Sequence, residues 1–148
     1  MKRAAVGLVL AVQASFAMSV HAAPVSDISQ EWSGYWNAKN LRAILPLYAR
    51  APVFHPAVGH GWVGADAIAR NFAGLLANYD PHIVLRSARS EVSGALAFDS
   101  GTYDETVAPV KGGAEIRASG GYLFVFRREN GRWKILEQSW TEFEPVKL

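Results

Sequence analysis

The sequence predicts a single α+β domain, with N-terminal helices packed on a curved antiparallel sheet. Three observations carry this expectation. Apolar residues recur at helical spacing only in the front half, up to about residue 76. Behind about residue 82 come long strand-like segments separated by glycine-containing turns. Half of the 148 residues are apolar and none is cysteine, so one hydrophobic core has to hold the fold without disulfides.

Residues 1–22 read as a targeting segment. Lys2 and Arg3 form a basic start, Ala4 to Met18 is almost unbroken apolar sequence, and Val20-His21-Ala22 ends in a small residue suited to signal peptidase. The apolar run is short for a membrane span, although a retained N-terminal anchor stays open as the alternative. The expectation is a periplasmic or secreted protein with its domain at residues 23–148. Residues 1–22 hold two of the 15 basic residues and none of the 13 acidic ones, so the remainder carries 13 of each. That balance, with no Lys/Arg run, argues against a nucleic-acid partner and against a membrane-surface partner.

Ser26 or Asp27 can cap the first helix. Ile28, Trp32, Tyr35 and Trp36 then fall on one helical face. Lys39-Asn40 breaks it. Leu41, Ile44, Leu45 and Tyr48 repeat the pattern in a short second helix that Pro46 should distort. Pro52-Val-Phe-His reads as a strand ending at Pro56, followed by a Gly-rich turn. A third helix spans Ala65 to Leu76, with Ile68, Phe72, Leu75 and Leu76 inward, and Tyr79-Asp80-Pro81 ends it.

Four strands follow, divided at Ser93-Gly94, Lys111-Gly112-Gly113 and Asn130-Gly131. The last is the strongest hairpin signal. A two-residue turn there places Phe126 beside Ile135, Phe124 beside Glu137 and Tyr122 beside Ser139. The inner face then carries Ile116, Tyr122, Phe124, Phe126, Trp133, Ile135 and Phe143. Continued across the sheet, the register turns Ala97, Asp99, Tyr103, Glu105 and Val107 inward, with Val84, Arg86 and Ala88 behind them. Gly101 and Gly120-Gly121 mark places where a bulge could reverse part of this assignment. Inward carboxylates are rarely buried without partners, which points to a partly wet cavity. The outer face gathers Leu123, Val125, Leu136 and Trp140 amid charges. That apolar cluster suggests a homodimer contact, with scattered surface apolars as the alternative.

The ordered set Ala38-Lys39-Asn40-Leu41, Leu47-Tyr48-Ala49, Val53-Phe54-His55-Pro56, Gly64-Ala65-Asp66-Ala67-Ile68, Gly101-Thr102-Tyr103 and Gly131-Arg132-Trp133-Lys134-Ile135 resembles the nuclear transport factor 2-like superfamily. Its SnoaL-like polyketide-cyclase and ketosteroid-isomerase-type branches are the most similar. The resemblance covers nearly the whole chain after residue 22. It implies a cystatin-like, cone-shaped roll in which helices close over a curved sheet and leave an apolar pocket, and in which dimers are common. The superfamily serves isomerases, dehydratases, hydrolases, cyclases and non-catalytic binding modules, so function does not follow from the fold.

His55 stands where isomerase-type relatives carry an aspartate base, just before the strand-ending proline. An unperturbed imidazole titrates near 6.5 and can serve as a base. The relatives' aspartate is absent here, and Trp32 stands near the place of their catalytic tyrosine. Asp99 and Glu137, with Tyr103 as carbonyl donor, complete the candidate catalytic set. Trp32, Trp36, Trp62, Glu105, Tyr122 and Ser139 are the candidate ligand contacts. Each has a plainer alternative: His55 bonded to backbone, the carboxylates ion-paired with Arg86 or Arg128, the tryptophans and tyrosines as core. His55 and His60 sit five apart without helical spacing, so neither they nor His82 are assigned a metal. No phosphate loop or nucleophilic serine elbow is present, and no cofactor is expected. The partner expected is a small apolar or aromatic molecule. It would be held by an exported binding or accessory domain, or turned over by a cofactor-independent isomerase, cyclase or dehydratase with His55 as base.

Overall fold

A computed structural model describes residues 25–143. The targeting segment expected at residues 1–22 lies outside the described residues. Helix α1 spans Val25–Asn37 and buries Trp32 and Trp36, with Ile28 and Tyr35 half-buried on the same stripe. Ser26 and Asp27 lie within its first turn rather than ahead of it, so neither is the cap. Lys39 at φ 54° ends the helix in the left-handed region. Asn40 then caps α2 (Leu41–Ile44), its side-chain oxygen accepting from Ala43 N–H at 3.2 Å.

The second helix is shorter than its periodicity predicts. Pro46 sits in a single 3₁₀ turn, Leu45–Leu47, and the chain enters β1 (Tyr48–His55) at Tyr48. The Gly-rich turn contains a two-residue strand, β2 (Trp62–Val63), paired antiparallel to β1. Helix α3 (Ala65–Asn78) buries Ile68, Phe72 and Leu76 and leaves Leu75 39% exposed. Tyr79-Asp80-Pro81 does end α3, but it opens β3 (Tyr79–Ser93). Pro81 is tolerated there because β3 is an edge strand. Strands β4 (Leu96–Pro109), β5 (Ile116–Glu129) and β6 (Arg132–Glu142) complete the sheet.

The strand order is β2-β1-β6-β5-β4-β3. Three hairpins run antiparallel from β3 to β6, and β6 returns beside β1 in parallel. The sheet is therefore mixed at one junction rather than wholly antiparallel. It curves around α1 and α3 without closing. At the last hairpin Asn130 (φ 49°) and Gly131 (φ 78°) both adopt positive φ, which matches the right-handed twist of the flanking strands.

Two register shifts decide which side chains reach the inside. Phe126 pairs with Ile135 as expected, but Val125 pairs with Glu137, leaving Leu136 as an extra residue in β6. Beyond that bulge Gln138 faces Phe124, Trp140 faces Tyr122, and Ser139 faces Leu123. Glu137 and Ser139 therefore turn to the outer face. Trp140, expected outside at the dimer contact, is 8% exposed and belongs to the core. Phe143 is 55% exposed for the same reason, and Ile116, at the start of β5, is 54% exposed.

The other shift lies in β3. The turn falls at Gly94-Ala95, one residue later than expected, and Ala88 is skipped between Ser87↔Gly101 and Arg89↔Ser100. The later turn leaves facing unchanged, and the extra residue Ala88 reverses the parity of the part of β3 before it. Ile83 and Leu85 point inward, while Val84 is exposed and Arg86 pairs with Asp104 on the outside at 2.5 Å. Gly101 lies opposite this bulge, where a Cβ would meet the Arg86 carbonyl oxygen at 1.9 Å. Gly120 marks a close approach rather than a bulge, a Cβ there meeting the Thr141 carbonyl oxygen at 1.7 Å. The core is mainly aromatic. Trp32 stacks on Trp36 at 5.5 Å and meets Phe124 edge-on at 5.6 Å, beneath Phe72 of α3.

Candidate functional site

The sheet's curvature and the crossing of α1 and α3 leave a cavity of about 150 Å³ over the inner face. Helix α1 contributes Trp32 and Trp36, and α3 contributes Phe72 and Leu75. Phe54 and Trp62 close one side, stacked on each other at 4.7 Å because β1 and β2 pair at those two residues. The sheet floor supplies Ile83, Tyr103, Glu105 and Trp140. Glu105 is the one acidic side chain on this wall.

Its carboxylate accepts a hydrogen bond from Trp36 Nε1 at 3.1 Å. Burial raises the Glu105 pKa above the ordinary carboxylate range, and the Trp36 hydrogen bond offsets part of that rise. The Tyr103 phenol is pushed up first by burial and then by the charges of Glu105 and Glu142. A second cavity of about 120 Å³ adjoins, lined in part by Trp36, Leu75 and Glu105. Glu105 thus fronts both.

Asp99 is fully buried but does not line the cavity. It accepts from Ser87 Oγ and from the Tyr122 hydroxyl at 2.9 Å. Burial, then the Asp99 charge, drives the Tyr122 pKa strongly upward. The Tyr122 proton is committed to this carboxylate and does not reach the cavity. Deeper in the core a chain of donors runs from Trp32 Nε1 to the Tyr48 hydroxyl at 3.1 Å, and from that hydroxyl to Gln138 Oε1. Burial drives the Tyr48 pKa strongly upward too. Gln138 Nε2 and Trp140 Nε1 are buried without a hydrogen-bond partner.

His55 and Glu137 meet at 2.8 Å, but on the outer face. Adjacent residues of a strand face opposite sides. Phe54 takes the inside, so His55 takes the outside, where the side chains of His55 and Glu137 are 45% and 48% exposed. The structure thus corrects three expected placements: neither His55 nor Glu137 lines the cavity, and the bulge at Leu136 moves Ser139 out with Glu137. Tyr103, Glu105, Trp32, Trp36 and Trp62 do come together at the cavity. Asp99 and Tyr122 face inward but form their own sealed pair. Neither Arg86 nor Arg128 pairs with an inward carboxylate, Arg86 lying against Asp104 and Arg128 over the Trp133 ring at 4.6 Å.

Phe54 was missed as a wall residue, because an inward His55 would turn its neighbour to the other face. Gln138 carried no local signal, because its facing depends on the bulge. Among the described residues no group of three or more His, Asp or Glu gathers as a metal site. None of the described helices is long and apolar enough to cross a membrane.

The fold is shared with solved structures of low sequence identity. A ketosteroid isomerase-like protein from Erwinia carotovora atroseptica superposes with a TM-score of 0.75 at 17% identity, over 83% of this chain and 96% of that one. A proposed dehydratase of the NTF2-like family from Streptomyces avermitilis gives 0.72 at 15% identity, over 82% and 96%. A protein with a cystatin-like fold from Caulobacter vibrioides gives 0.72 at 16% identity, over 82% and 89%. At these identities the likeness establishes the fold alone. No curated protein sequence matches the chain significantly. The sequence profile of the SnoaL-like domain matches residues 30–135, which takes in both helical walls of the cavity, all of β1 to β5 and the start of β6. The chain belongs to the SnoaL-like domain family.

Proposed function

We propose that this chain is a ligand-binding or accessory domain that holds a small, largely apolar or aromatic molecule in the inner-face cavity without turnover. The make-up of the cavity wall carries this reading: aromatic rings on every side and a single carboxyl group. Proton-transfer catalysis needs a base within reach of the substrate, and the His55–Glu137 pair lies outside. An apolar cavity of about 150 Å³ admits a molecule the size of one benzene ring.

A second reading has its own support. Glu105, with a pKa raised by burial and the Tyr103 phenol two residues away on the same face, has the properties of a proton-transfer group. In that reading Glu105 moves the proton of a cofactor-independent isomerase, cyclase or dehydratase, in place of His55.

Export after removal of residues 1–22 belongs to the same proposal, as does a homodimer through the outer face. The dimer draws support from Leu123, 39% exposed, which with Val125 and Leu96 borders an apolar groove. Sedimentation at micromolar concentration should give the mass of two chains, and a single-chain mass would remove the dimer.

The functional test is mass spectrometry of small molecules that co-purify with the native protein. A ring-sized compound lost from Trp62→Ala and kept by His55→Ala fits binding in the cavity. A compound turned over by the wild type and unchanged by Glu105→Gln fits the second reading. No compound retained by any variant contradicts both.

A further inference from the structure

The cavity wall has one acidic group and no basic one. Among the described residues Glu105 forms no ion pair, and its hydrogen-bond partner is the neutral indole N–H of Trp36. A second carboxylate reinforces the negative charge at this end. Glu142 pairs with Gly120 on β5, which in turn pairs with Tyr103 on β4, and both Glu105 and Glu142 act on the Tyr103 phenol. A purely hydrocarbon ligand has no use for this carboxylate and would leave it uncompensated on displacing water. An anionic ligand would be repelled by it. A positive charge brought by the ligand would compensate it, and aromatic walls favour an organic cation because ring faces carry partial negative charge.

We infer that the ligand is a small organic cation, an ammonium group on a body of about one ring. The ammonium sits against Glu105, and the hydrocarbon lies among Trp36, Trp62 and Phe72. This rests on the cavity-binding reading and narrows its ligand class. Because Glu105 fronts both cavities, small alkyl groups on the nitrogen have space on the second side.

The test is isothermal titration calorimetry at neutral pH with benzylamine, benzyl alcohol and benzoate, which share a ring and differ in charge. Benzylamine should bind about tenfold or more tighter than benzyl alcohol, with benzoate weakest. In Glu105→Gln, checked for folding by circular dichroism, the preference for benzylamine over benzyl alcohol should fall to within about twofold. Equal binding of benzylamine and benzyl alcohol by the wild type, or an undiminished preference in the variant, would overturn the cation and leave the cavity reading standing. Binding of none of the three would remove both.

Discussion

Trp36 Nε1 donates a hydrogen bond to Glu105 at 3.1 Å, tying the last turn of the first helix to the fourth strand. The bond does two things. It fixes an indole on the wall shared by two cavities, and it gives a half-buried carboxylate one neutral partner. The resulting site is apolar in area and acidic in charge.

That arrangement has a pH signature. Glu105 titrates above its ordinary value in the folded chain, so the native state holds that proton more tightly than the unfolded state does. Its ionisation therefore lowers stability as pH rises from the ordinary glutamate range through the raised value. Glu105→Gln keeps an acceptor for Trp36 and cannot ionise. Thermal melts from pH 4 to 8 should show the variant losing part of the wild type's decline and matching or exceeding it at neutral pH. A variant less stable than the wild type throughout would contradict this.

The sealed Asp99–Tyr122 pair is a structural element. Tyr122→Phe removes a donor from a fully buried carboxylate. The expected loss is about 1.5–3 kcal/mol by urea denaturation. A change below about 0.5 kcal/mol would mean the carboxylate has a sufficient second donor in Ser87.

His55→Ala should behave as a surface change. The His55–Glu137 pair is nearly half exposed on each side and lies outside the cavity. The expected cost is about 0–1 kcal/mol, with ligand affinity unaltered. A large loss of binding or turnover in this variant would restore His55 as a working base.

Gly101→Ala tests the bulge. A Cβ there would meet the Arg86 carbonyl oxygen at 1.9 Å, in a backbone that has no flexible end to yield. Stability should fall by about 1–3 kcal/mol or the chain should fail to fold. Amide hydrogen exchange should report the loss across β3 and β4. An unchanged exchange pattern would mean the two strands do not approach as described.

Much of the fold could be read from the sequence because it follows local rules. The stripe of Trp32, Tyr35 and Trp36, the break at Lys39-Asn40 and the Asn130-Gly131 turn each depend on a few adjacent residues. The facing of Asp99, Tyr103 and Glu105 was legible because β4 runs without a bulge. Glu137, Ser139 and Trp140 were placed on the wrong faces because one extra residue, Leu136, reverses everything after it. Nothing in Lys134-Ile135-Leu136-Glu137 signals a bulge; the coiling of the sheet around α1 and α3 accommodates it. His55 is a different case. The resemblance to relatives with a base at that place put it at the pocket, and the structure turns Phe54 inward and His55 outward instead.

The most direct test follows the indole N–H signals of the five tryptophans by nitrogen–proton NMR during titration with benzyl alcohol. If the inner-face cavity is the binding site, Trp36 and Trp62 should shift in a saturable way, while Trp133 and the amides of Leu123 and Val125 stay in place. Shifts confined to Leu123 and Val125, or to the surroundings of His55, would contradict it.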